Sequence, residues 1–417
     1  MKILFISEHY KHNIQGGGEV NVFTLCEALA DKGHEISVLT SGSVRQKIVE
    51  KKVAVYQYLE TGGVQSLFGN IKRIFFHRQI AGEVEKLQKQ NTYDVIHLIG
   101  TALGAASSLR KITSVPIYAT IESYIALCPK GDFICGSKAV IKPWPFFYFA
   151  RCMSRSREIG KMQNRAYIRY NPIAWALIYQ RYRHLNNSLK CAQLIAISEF
   201  MQNILKQFNL SSRVIPNFID MDAFRQKAAE KEDKKKSKSK NNKTSILYLG
   251  SLNEYKGPQI LLEAAKNLSC TVHLYGNGIL KDNLEKMIKI EKLDAAIHEP
   301  VRFEDVPNVY STADIVVFPS VWPEPFGRIA IEAMAAQRAV IGSSIGGIKE
   351  VIRDDCGVLV APGSVEELHH ALQMLIMQEK KRIQLAKNGF AHVKNNYSKE
   401  VVIKKLISAY QAHTNNP

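Results

Sequence analysis

The hydrophobic positions of this chain fall into short apolar runs that alternate with amphipathic stretches. In the first half the apolar runs are residues 3–7, 35–40, 95–99 and 116–121, with an amphipathic stretch at 20–30. A second series starts with SILYLGS at residue 245 and continues at residues 271–276, 315–320, 339–342 and 357–361. Buried strands that alternate with amphipathic helices are typical of parallel α/β sheets. The pattern therefore predicts two doubly wound α/β domains.

Residues 226–243 separate the two series and contain no large apolar side chain. The segment reads QKAAEKEDKKKSKSKNNK, with eight lysines and three acidic residues. Such a composition cannot form a core and has to be solvated, so it favours a charged linker over a nucleic-acid-binding tail. The predicted domains are residues 1–225 and 244–395. Residues 396–417 are predicted to form a final helix that packs back on the N-terminal domain.

The composition is that of a globular protein with a basic surface. The chain has 417 residues, 46% of them hydrophobic, and 56 Lys and Arg against 38 Asp and Glu give a net charge of +18. This excess indicates an acidic partner such as phosphate or anionic lipid. Seven irregularly spaced cysteines favour a reducing compartment, which predicts a cytoplasmic protein. The longest apolar runs are too short to span a bilayer, so any membrane contact is expected to be peripheral.

Residues 142–190 combine positive charge with aromatic side chains. Ten basic residues face one acidic residue, Glu158, and ten aromatics are interspersed, so this segment supplies half of the net charge. One interpretation is an interface with anionic headgroups, on the inner face of the membrane or on a lipid-linked acceptor. The other is a helical insertion whose aromatics pack on the first domain while its arginines are solvated.

The most informative stretch is residues 318–335, FPSVWPEPFGRIAIEAMA, which is typical of a strand, a proline-rich loop and a helix. The loop predicts that the helix begins near Gly327, so that free N–H groups and the positive dipole end can face a phosphate. Glu324 precedes that end and can accept hydrogen bonds from sugar hydroxyls. Two structural interpretations compete: Glu324 as an acid at a helix N-terminus, and Glu332 in a solvated ion pair with Arg328.

The two glutamates, separated by seven residues, resemble the signature of the family 4 retaining glycosyltransferases, which have the GT-B fold. The resemblance implies two Rossmann-like domains that face a central cleft, where donor and acceptor meet. It implies that Glu324 contacts sugar hydroxyls of a nucleotide-sugar donor and that Glu332 accepts the ribose hydroxyls. The donor-binding residues implied in this way are Gly17, Gly18, Ser251, Lys256, Gly276, Asn277, Glu324, Pro325, Phe326, Gly327, Arg328 and Glu332.

Further segments resemble family motifs in the expected order. GGGE at 16–19 resembles the loop that approaches the donor diphosphate from the N-terminal domain. GSLNEYKG at 250–257 resembles the phosphate-binding turn of the second domain, in which Lys256 contacts the diphosphate. The remaining matches are AISE at 196–199, VIPNFID at 214–220, GNG at 276–278 and SSIGGIKE at 343–350.

Three positions bear on catalysis. Ser251 stands where many relatives carry an arginine that shares the diphosphate charge, and Arg328 is a candidate replacement. Glu122 in TIESY stands where relatives often have a histidine. His97 in DVIHLIG matches a strand-end histidine common in the family, although a lone histidine there is also typical of a satisfied structural residue. The candidate catalytic residues are therefore Glu324, Lys256, His97 and Glu122.

The resemblance implies transfer of a sugar from a UDP- or GDP-linked donor to a glycan, glycolipid or lipid-linked acceptor in cell-surface polysaccharide synthesis. No metal or other cofactor is expected, because Lys256 and a helix N-terminus balance the leaving diphosphate. Cys128, Cys135 and Cys152 also lack the paired spacing of structural zinc. No nucleic-acid partner is expected. Two alternatives stay open: a catalytically weakened nucleotide-sugar-binding subunit, and a sugar-nucleotide epimerase on the same fold.

Overall fold

A computed structural model describes residues 1–11, 17–60, 73–135, 138–155, 171–222, 224 and 243–414. The chain divides into two compact units, each with its own parallel sheet. The first unit contains Met1–Ile215 and Ile403–Pro417, and the second contains Pro216–Val402. The prediction of two doubly wound α/β domains is thereby confirmed.

The strands of the first unit follow the apolar runs of the sequence. They are β1 (Lys2–Ser7), β2 (Glu35–Ser41), β3 (Gln46–Glu50), β4 (Val53–Leu59), β5 (Val95–Ile99), β6 (Ile117–Ile121), β7 (Ile134–Cys135), β8 (Lys138–Ala139), β9 (Gln193–Ala196) and β10 (Ser212–Val214). β7 and β8 form a separate antiparallel pair, and the others form one sheet in the order β10-β9-β6-β5-β1-β2-β4-β3. Only β3, at the edge, is antiparallel in this sheet. The central strands β5 and β6 are buried along their whole length, as expected when helices cover both faces.

Helices connect these strands, and local sequence signals fix several of their ends. They are α1 (Gly17–Asp31), α2 (Phe76–Gln88), α3 (Ala106–Leu109), α4 (Phe146–Arg155), α5 (Pro172–Ser188) and α6 (Glu199–Gln207). Asn171 caps α5 by accepting hydrogen bonds from two backbone N–H groups, directly before the proline that begins the helix. Ser198 caps α6 by accepting from the N–H of Met201 at 3.0 Å. Short 3-10 turns occupy Gly100–Ala105, Tyr124–Ala126 and Leu189–Cys191.

The second unit repeats the architecture with six parallel strands. These are β11 (Thr244–Leu249), β12 (Cys270–Tyr275), β13 (Ala295–His298), β14 (Ile315–Phe318), β15 (Ala339–Ser343) and β16 (Val358–Val360). Their order, β13-β12-β11-β14-β15-β16, is that of the dinucleotide-binding Rossmann sheet. The helices are α7 (Pro258–Ala264), α8 (Lys281–Ile290), α9 (Val306–Ser311), α10 (Arg328–Ala335), α11 (Ile348–Val351), α12 (Val365–Met377) and α13 (Glu379–Asn396), followed by α14 (Lys399–Thr414). Two further 3-10 turns lie at Glu254–Lys256 and Phe303–Asp305.

The chain divides earlier than the predicted boundary at residue 225. Ile219 forms an isolated parallel bridge with Ser398, and the Asp220 carboxylate accepts from Lys399 Nζ at 2.7 Å. These contacts join the segment after Ile215 to the end of α13 and the start of α14, so it belongs to the second unit. Of the predicted linker, residues 226–242 lie outside the described part of the chain.

The last helix, α14, contributes its final turns to the first unit. From Ile403 onward its residues belong to that unit. Tyr410 is fully buried, with its ring centroid 4.9 Å from that of Tyr118. The Tyr118 hydroxyl donates to the Ala409 carbonyl at 2.7 Å. The end of α14 is therefore part of the core of the first unit.

Several aromatic side chains of the described part of the basic aromatic segment pack against one another, while α5 also packs on the 3-10 turn after β5. In α5 the Tyr179 ring lies 5.3 Å from Phe146 and 5.8 Å from Phe149, and its hydroxyl donates to the Trp144 carbonyl at 2.9 Å. Phe147 is the exception, because 85% of it is exposed. Residues 156–170 lie outside the described ranges. No helix among the described residues is long and apolar enough to cross a bilayer.

Candidate functional site

The sheet of the second unit changes direction between β11 and β14, and ligands of doubly wound sheets bind at the carboxyl ends of strands at such a point. The loops that follow these two strands contact each other directly. The Tyr255 carbonyl accepts from the N–H of Val321 at 2.9 Å. Gly257 has φ of 75°, and a side chain there would meet the Pro319 carbonyl oxygen at 2.1 Å. Only glycine allows this close approach of the two loops.

Lys256 and Glu324 meet at this point. Lys256 Nζ donates to Glu324 Oε1 at 2.7 Å, and both side chains are partly exposed. The ammonium also lies 4.8 Å from the ring centroid of Trp322. The structure describes no hydrogen-bond partner for the other oxygen of Glu324, Oε2. The pair therefore presents a cation and a free acceptor oxygen to the same side of the loop, which suits a diphosphate beside a sugar hydroxyl.

The backbone of Glu324 is held by the glycines of the SSIGGIKE segment. The Glu324 carbonyl accepts from the N–H of Gly347 at 2.8 Å. Gly346 has φ of 62°, and a side chain there would meet the Glu324 carbonyl oxygen at 2.4 Å. The backbone of Glu324 is thus held by a third loop, which follows β15.

Helix α10 begins as the sequence predicts. Gly327 is its N-terminal flanking residue, and no side chain caps this end. Pro325 and Phe326 are buried just before it, and the Phe326 ring centroid lies 5.7 Å from that of Tyr397. The first N–H groups of an uncapped helix lack intrahelical partners, so they are available to an anion.

Glu332 differs from its predicted surroundings. Arg328 Nε donates to Glu332 Oε1 at 2.7 Å, so the expected i−4 ion pair exists. The pair is not solvated, however, because Glu332 is only 7% exposed. The hydroxyl of the fully buried Tyr310 donates to Glu332 Oε2 at 3.0 Å. Burial, and then the charge of Glu332, raise the pKa of Tyr310 far above its usual range, so this hydroxyl remains a donor.

The other predicted donor-binding residues of this unit lie around the same sheet edge. The carbonyl of Ser251 accepts from the Tyr248 hydroxyl at 2.7 Å, and burial followed by the Glu324 charge raises the Tyr248 pKa. The carbonyl of Asn277 accepts from the N–H of Leu252 at 2.9 Å, which ties the loop after β12 to the loop after β11. Gly276 precedes Asn277 in that loop. The structure therefore brings Ser251, Lys256, Gly276, Asn277 and Glu324 to one edge.

In the first unit the predicted residues are more dispersed. Gly17 and Gly18 are the first residues of α1, while Gly16 lies outside the described ranges. Glu122 follows β6 and accepts from Asn21 Nδ2 of α1 at 3.1 Å. Glu122 therefore lies near the beginning of α1, at the carboxyl edge of the sheet.

His97 lies in the middle of β5 with no solvent exposure. Its Nε2 is 2.6 Å from Thr120 Oγ1, and its Nδ1 contacts the Tyr410 hydroxyl. Burial lowers its pKa from 6.5 to about 3, so the ring is neutral. Between its catalytic and structural interpretations, this geometry favours the structural one.

Sequence reasoning did not select Tyr310, Tyr255 or Trp322. Tyr255 lies inside GSLNEYKG and Trp322 inside FPSVWPEPFGRIAIEAMA, so membership of these two motifs could have identified them. Tyr310 carries no such signal, because its contact with Glu332 spans 22 residues and a helix boundary.

Within the described ranges, no group of three or more His, Cys, Asp or Glu side chains is arranged to hold a metal ion. All seven cysteines are free thiols, and Cys128 and Cys152 are buried.

Comparison with known proteins agrees with this arrangement. Over 432 residues the chain is 24% identical to an uncharacterized glycosyltransferase of Methanocaldococcus jannaschii, covering 99% of this chain and 98% of that protein. Sucrose-phosphate synthase from Thermosynechococcus elongatus superposes with a TM-score of 0.74 at 19% identity, over 99% of this chain and 98% of that one. Anabaena Alr3699/HepE in complex with UDP and glucose superposes with 0.67 at 18% identity, over 99% of each chain. At this identity the structural likeness concerns the GT-B fold alone.

Two family models match the two halves of the chain. "Glycosyl transferases group 1" matches residues 229–392, which include the paired glutamates and Lys256. "Glycosyltransferase Family 4" matches residues 15–223, half of the chain. With the two Rossmann-like sheets and the loop cluster at the edge of the second, these matches establish that the chain belongs to the family 4 glycosyltransferases of group 1, with the GT-B fold.

Proposed function

We propose that this enzyme transfers a sugar from a nucleoside-diphosphate donor, UDP- or GDP-linked, to a hydroxyl acceptor with retention of the anomeric configuration. The observation that carries the proposal is the contact between Lys256 and Glu324 at the switch point of the second sheet. Two further supports are the uncapped helix that begins after Gly327 and the likeness to a structure holding UDP and glucose.

In this mechanism Lys256 and the N-terminus of α10 bind the donor diphosphate. Lys256 carries three donors, so it can keep its hydrogen bond to Glu324 while it contacts phosphate oxygens. Both positive groups stabilise the charge that grows on the leaving diphosphate, and the transfer needs no metal for that purpose. A donor phosphate oxygen takes the proton of the attacking hydroxyl.

The two glutamates divide the recognition of the donor. Glu324 Oε2 accepts a hydrogen bond from a sugar hydroxyl, since Oε1 is occupied by Lys256. Glu332 accepts the ribose hydroxyls with the lone pairs that Arg328 and Tyr310 leave free, because each carboxylate oxygen can accept two hydrogen bonds. Ser251 supplies no charge to the diphosphate. We assign that role to Arg328, which is the first residue of α10.

The acceptor class we propose is a glycan, glycolipid or lipid-linked intermediate of cell-surface polysaccharide synthesis, reached from a cytoplasmic membrane surface. The support is the exposed apolar side chain of Phe147 in α4, next to the exposed Arg151, and Ile173 at the start of α5, which is 69% exposed. Co-sedimentation with anionic liposomes at low salt tests this surface, with Phe147→Ser as the variant expected to bind less. Equal sedimentation of the variant and the wild type would contradict it.

A donor screen tests the proposed reaction. UDP-, GDP- and ADP-sugars are compared for thermal stabilisation, since a ligand at 100 times its Kd stabilises the folded state by about 2.7 kcal/mol. The stabilising donor is then incubated with candidate acceptors, and the product anomer is read by NMR. We expect transfer with retained configuration. A protein that binds a donor yet neither transfers nor hydrolyses it would contradict the proposal.

A further inference from the structure

The first unit contains a cavity of about 280 Å³ at the carboxyl edge of its own sheet. The sheet changes direction between β1 and β5, and Glu8 and Thr101, just after these strands, both line the cavity. The remaining wall comes from residues 73–78 at the start of α2 and from Gln180 to Leu185 of α5. This is the same topological position that holds Lys256 and Glu324 in the second unit.

The charges around this cavity do not balance. Among the described residues, three arginines line it, Arg73, Arg78 and Arg181, against the single carboxylate of Glu8. That carboxylate is already engaged, because Oε1 accepts from Arg73 Nη2 at 2.6 Å and Oε2 accepts from the Thr101 hydroxyl. Two formal positive charges are left over.

Arg181 is less exposed than Arg78, and neither arginine forms a salt bridge with a described residue. No carboxylate of the described residues lies within ion-pairing distance of its guanidinium. Burial, and then the charge of Arg73, lower its pKa to about 10, and the charge of Glu8 opposes them only in part. A partly buried arginine with no salt bridge is more favourable when an anion supplies the missing partner.

Further hydrogen-bonding groups complete the wall. His184 Nε2 donates to the Gly104 carbonyl at 2.9 Å, which fixes the tautomer of the ring. The His77 and His184 ring centroids are 4.1 Å apart. Gln180 adds an amide that can donate to an oxyanion.

From this geometry we propose that the cavity binds a phosphate group carried by the acceptor, with Arg181 as its principal ligand. The inference rests on the proposed function, since it assigns a chemical class to that acceptor. A planar guanidinium donates two parallel hydrogen bonds to a phosphate, and the two unbalanced positive charges match a phosphate monoester dianion. A second cavity, lined by Phe146 and Tyr179, shares Gln180 and His184 with the first. It offers an apolar path for the group attached to the phosphate.

The test titrates inorganic phosphate into the full-length protein at constant ionic strength and follows binding by calorimetry. Arg181→Gln is expected to bind about tenfold more weakly than the wild type, because a charge-assisted bidentate contact is lost. The matched control is Arg110→Gln, an exposed arginine of the same unit that lies outside the cavity. All titrations are repeated with Lys256→Ala, so that phosphate at the donor site does not obscure the result.

Thermal unfolding of Arg181 variants gives a second test. Without phosphate, Arg181→Gln is expected to unfold at the same temperature as the wild type or higher, since a partly buried charge that forms no salt bridge has been removed. Arg181→Lys, which keeps the charge without the planar fork, should bind phosphate with intermediate affinity. Equal phosphate affinity in the wild type and Arg181→Gln, or binding in neither, would overturn the proposal.

Two competitors distinguish the sources of the phosphate. A hexose 1-phosphate that displaces inorganic phosphate indicates a water-soluble acceptor, whereas phosphatidylcholine vesicles containing phosphatidic acid that do so indicate a lipid phosphate. Displacement by neither would refute the acceptor assignment.

Release of nucleotide from the donor without acceptor is measured in parallel. If that activity is present and phosphate binding does not depend on Arg181, the inference fails alone; if phosphate binding depends on Arg181 and no donor is turned over, the proposed function fails alone.

Discussion

The two units place polar groups at the same topological position but leave them in opposite electrostatic states. In the second unit the positive and negative groups are paired, Lys256 with Glu324 and Arg328 with Glu332. In the first unit both oxygens of Glu8 accept hydrogen bonds from other residues, and Arg181 forms no salt bridge with a described residue. A sheet that changes direction thus creates the location, while the side chains decide what it can bind. Paired charges suit a ligand with both diphosphate and hydroxyl groups, and an unbalanced cation suits an anion.

The largest effect is expected when the Lys256–Glu324 pair of the second unit is removed, and it falls on turnover. Lys256→Ala removes the cation that contacts Glu324 and leaves this carboxylate without that partner, next to the position we assign to the diphosphate. Loss of one group that stabilises transition-state charge typically lowers kcat by about 10²-fold to 10³-fold. Steady-state kinetics with the donor identified by the screen measures this change.

The matched control for that variant is Lys289→Ala, an exposed lysine on α8 of the same unit. It has the same chemistry and a similar change in net charge, so it should retain full activity. A kcat that falls equally in both variants would assign the effect to overall charge rather than to the switch point.

The next effect concerns stability in the second unit. Glu332→Ala removes the buried carboxylate that accepts from Arg328 and from the Tyr310 hydroxyl, which should lower the free energy of unfolding by about 3 kcal/mol. Tyr310→Phe removes only one hydrogen bond and should cost about 1 kcal/mol. Urea titration measures both. Equal losses in the two variants would mean that the ion pair contributes nothing beyond the tyrosine contact.

The same variants separate stability from recognition. Glu332→Ala is expected to weaken nucleotide binding as well, because the proposed acceptor of the ribose hydroxyls is gone, whereas Tyr310→Phe keeps the carboxylate and should bind the nucleotide nearly as well. Nucleotide affinities of the two folded variants, compared by calorimetry at low temperature, test this. An unchanged nucleotide affinity in Glu332→Ala would mean that Glu332 has only a structural role.

The fold and the helix start near Gly327 could be predicted because they depend on local patterns of two to four residues. The burial of Glu332 could not, since it depends on Tyr310, a residue of another helix. The division of the chain near Ile215 was missed for the same reason: the bridge between Ile219 and Ser398 joins residues far apart in sequence. Arg181 was assigned to a solvated or membrane-facing surface, because composition does not say which face of α5 packs over Gly104.

The last effect concerns His97, the fully buried histidine in β5 of the first unit. His97 has a pKa of about 3 in the folded state against 6.5 for a free histidine. The unfolded chain therefore binds a proton that the folded chain does not, and stability decreases as the pH falls from 6.5 toward 3. By pH 5 the loss of stability from this group alone should be about 2 kcal/mol.

His97→Gln removes the titration while keeping a polar side chain beside Thr120 and Tyr410. Hydrogen-exchange protection of β5 should then vary less with pH than in the wild type, whereas the exposed His370→Gln should leave the pH dependence unchanged. If His97→Gln shows the wild-type pH dependence, burial does not lower the pKa of His97 as described, and the catalytic interpretation of His97 is open again.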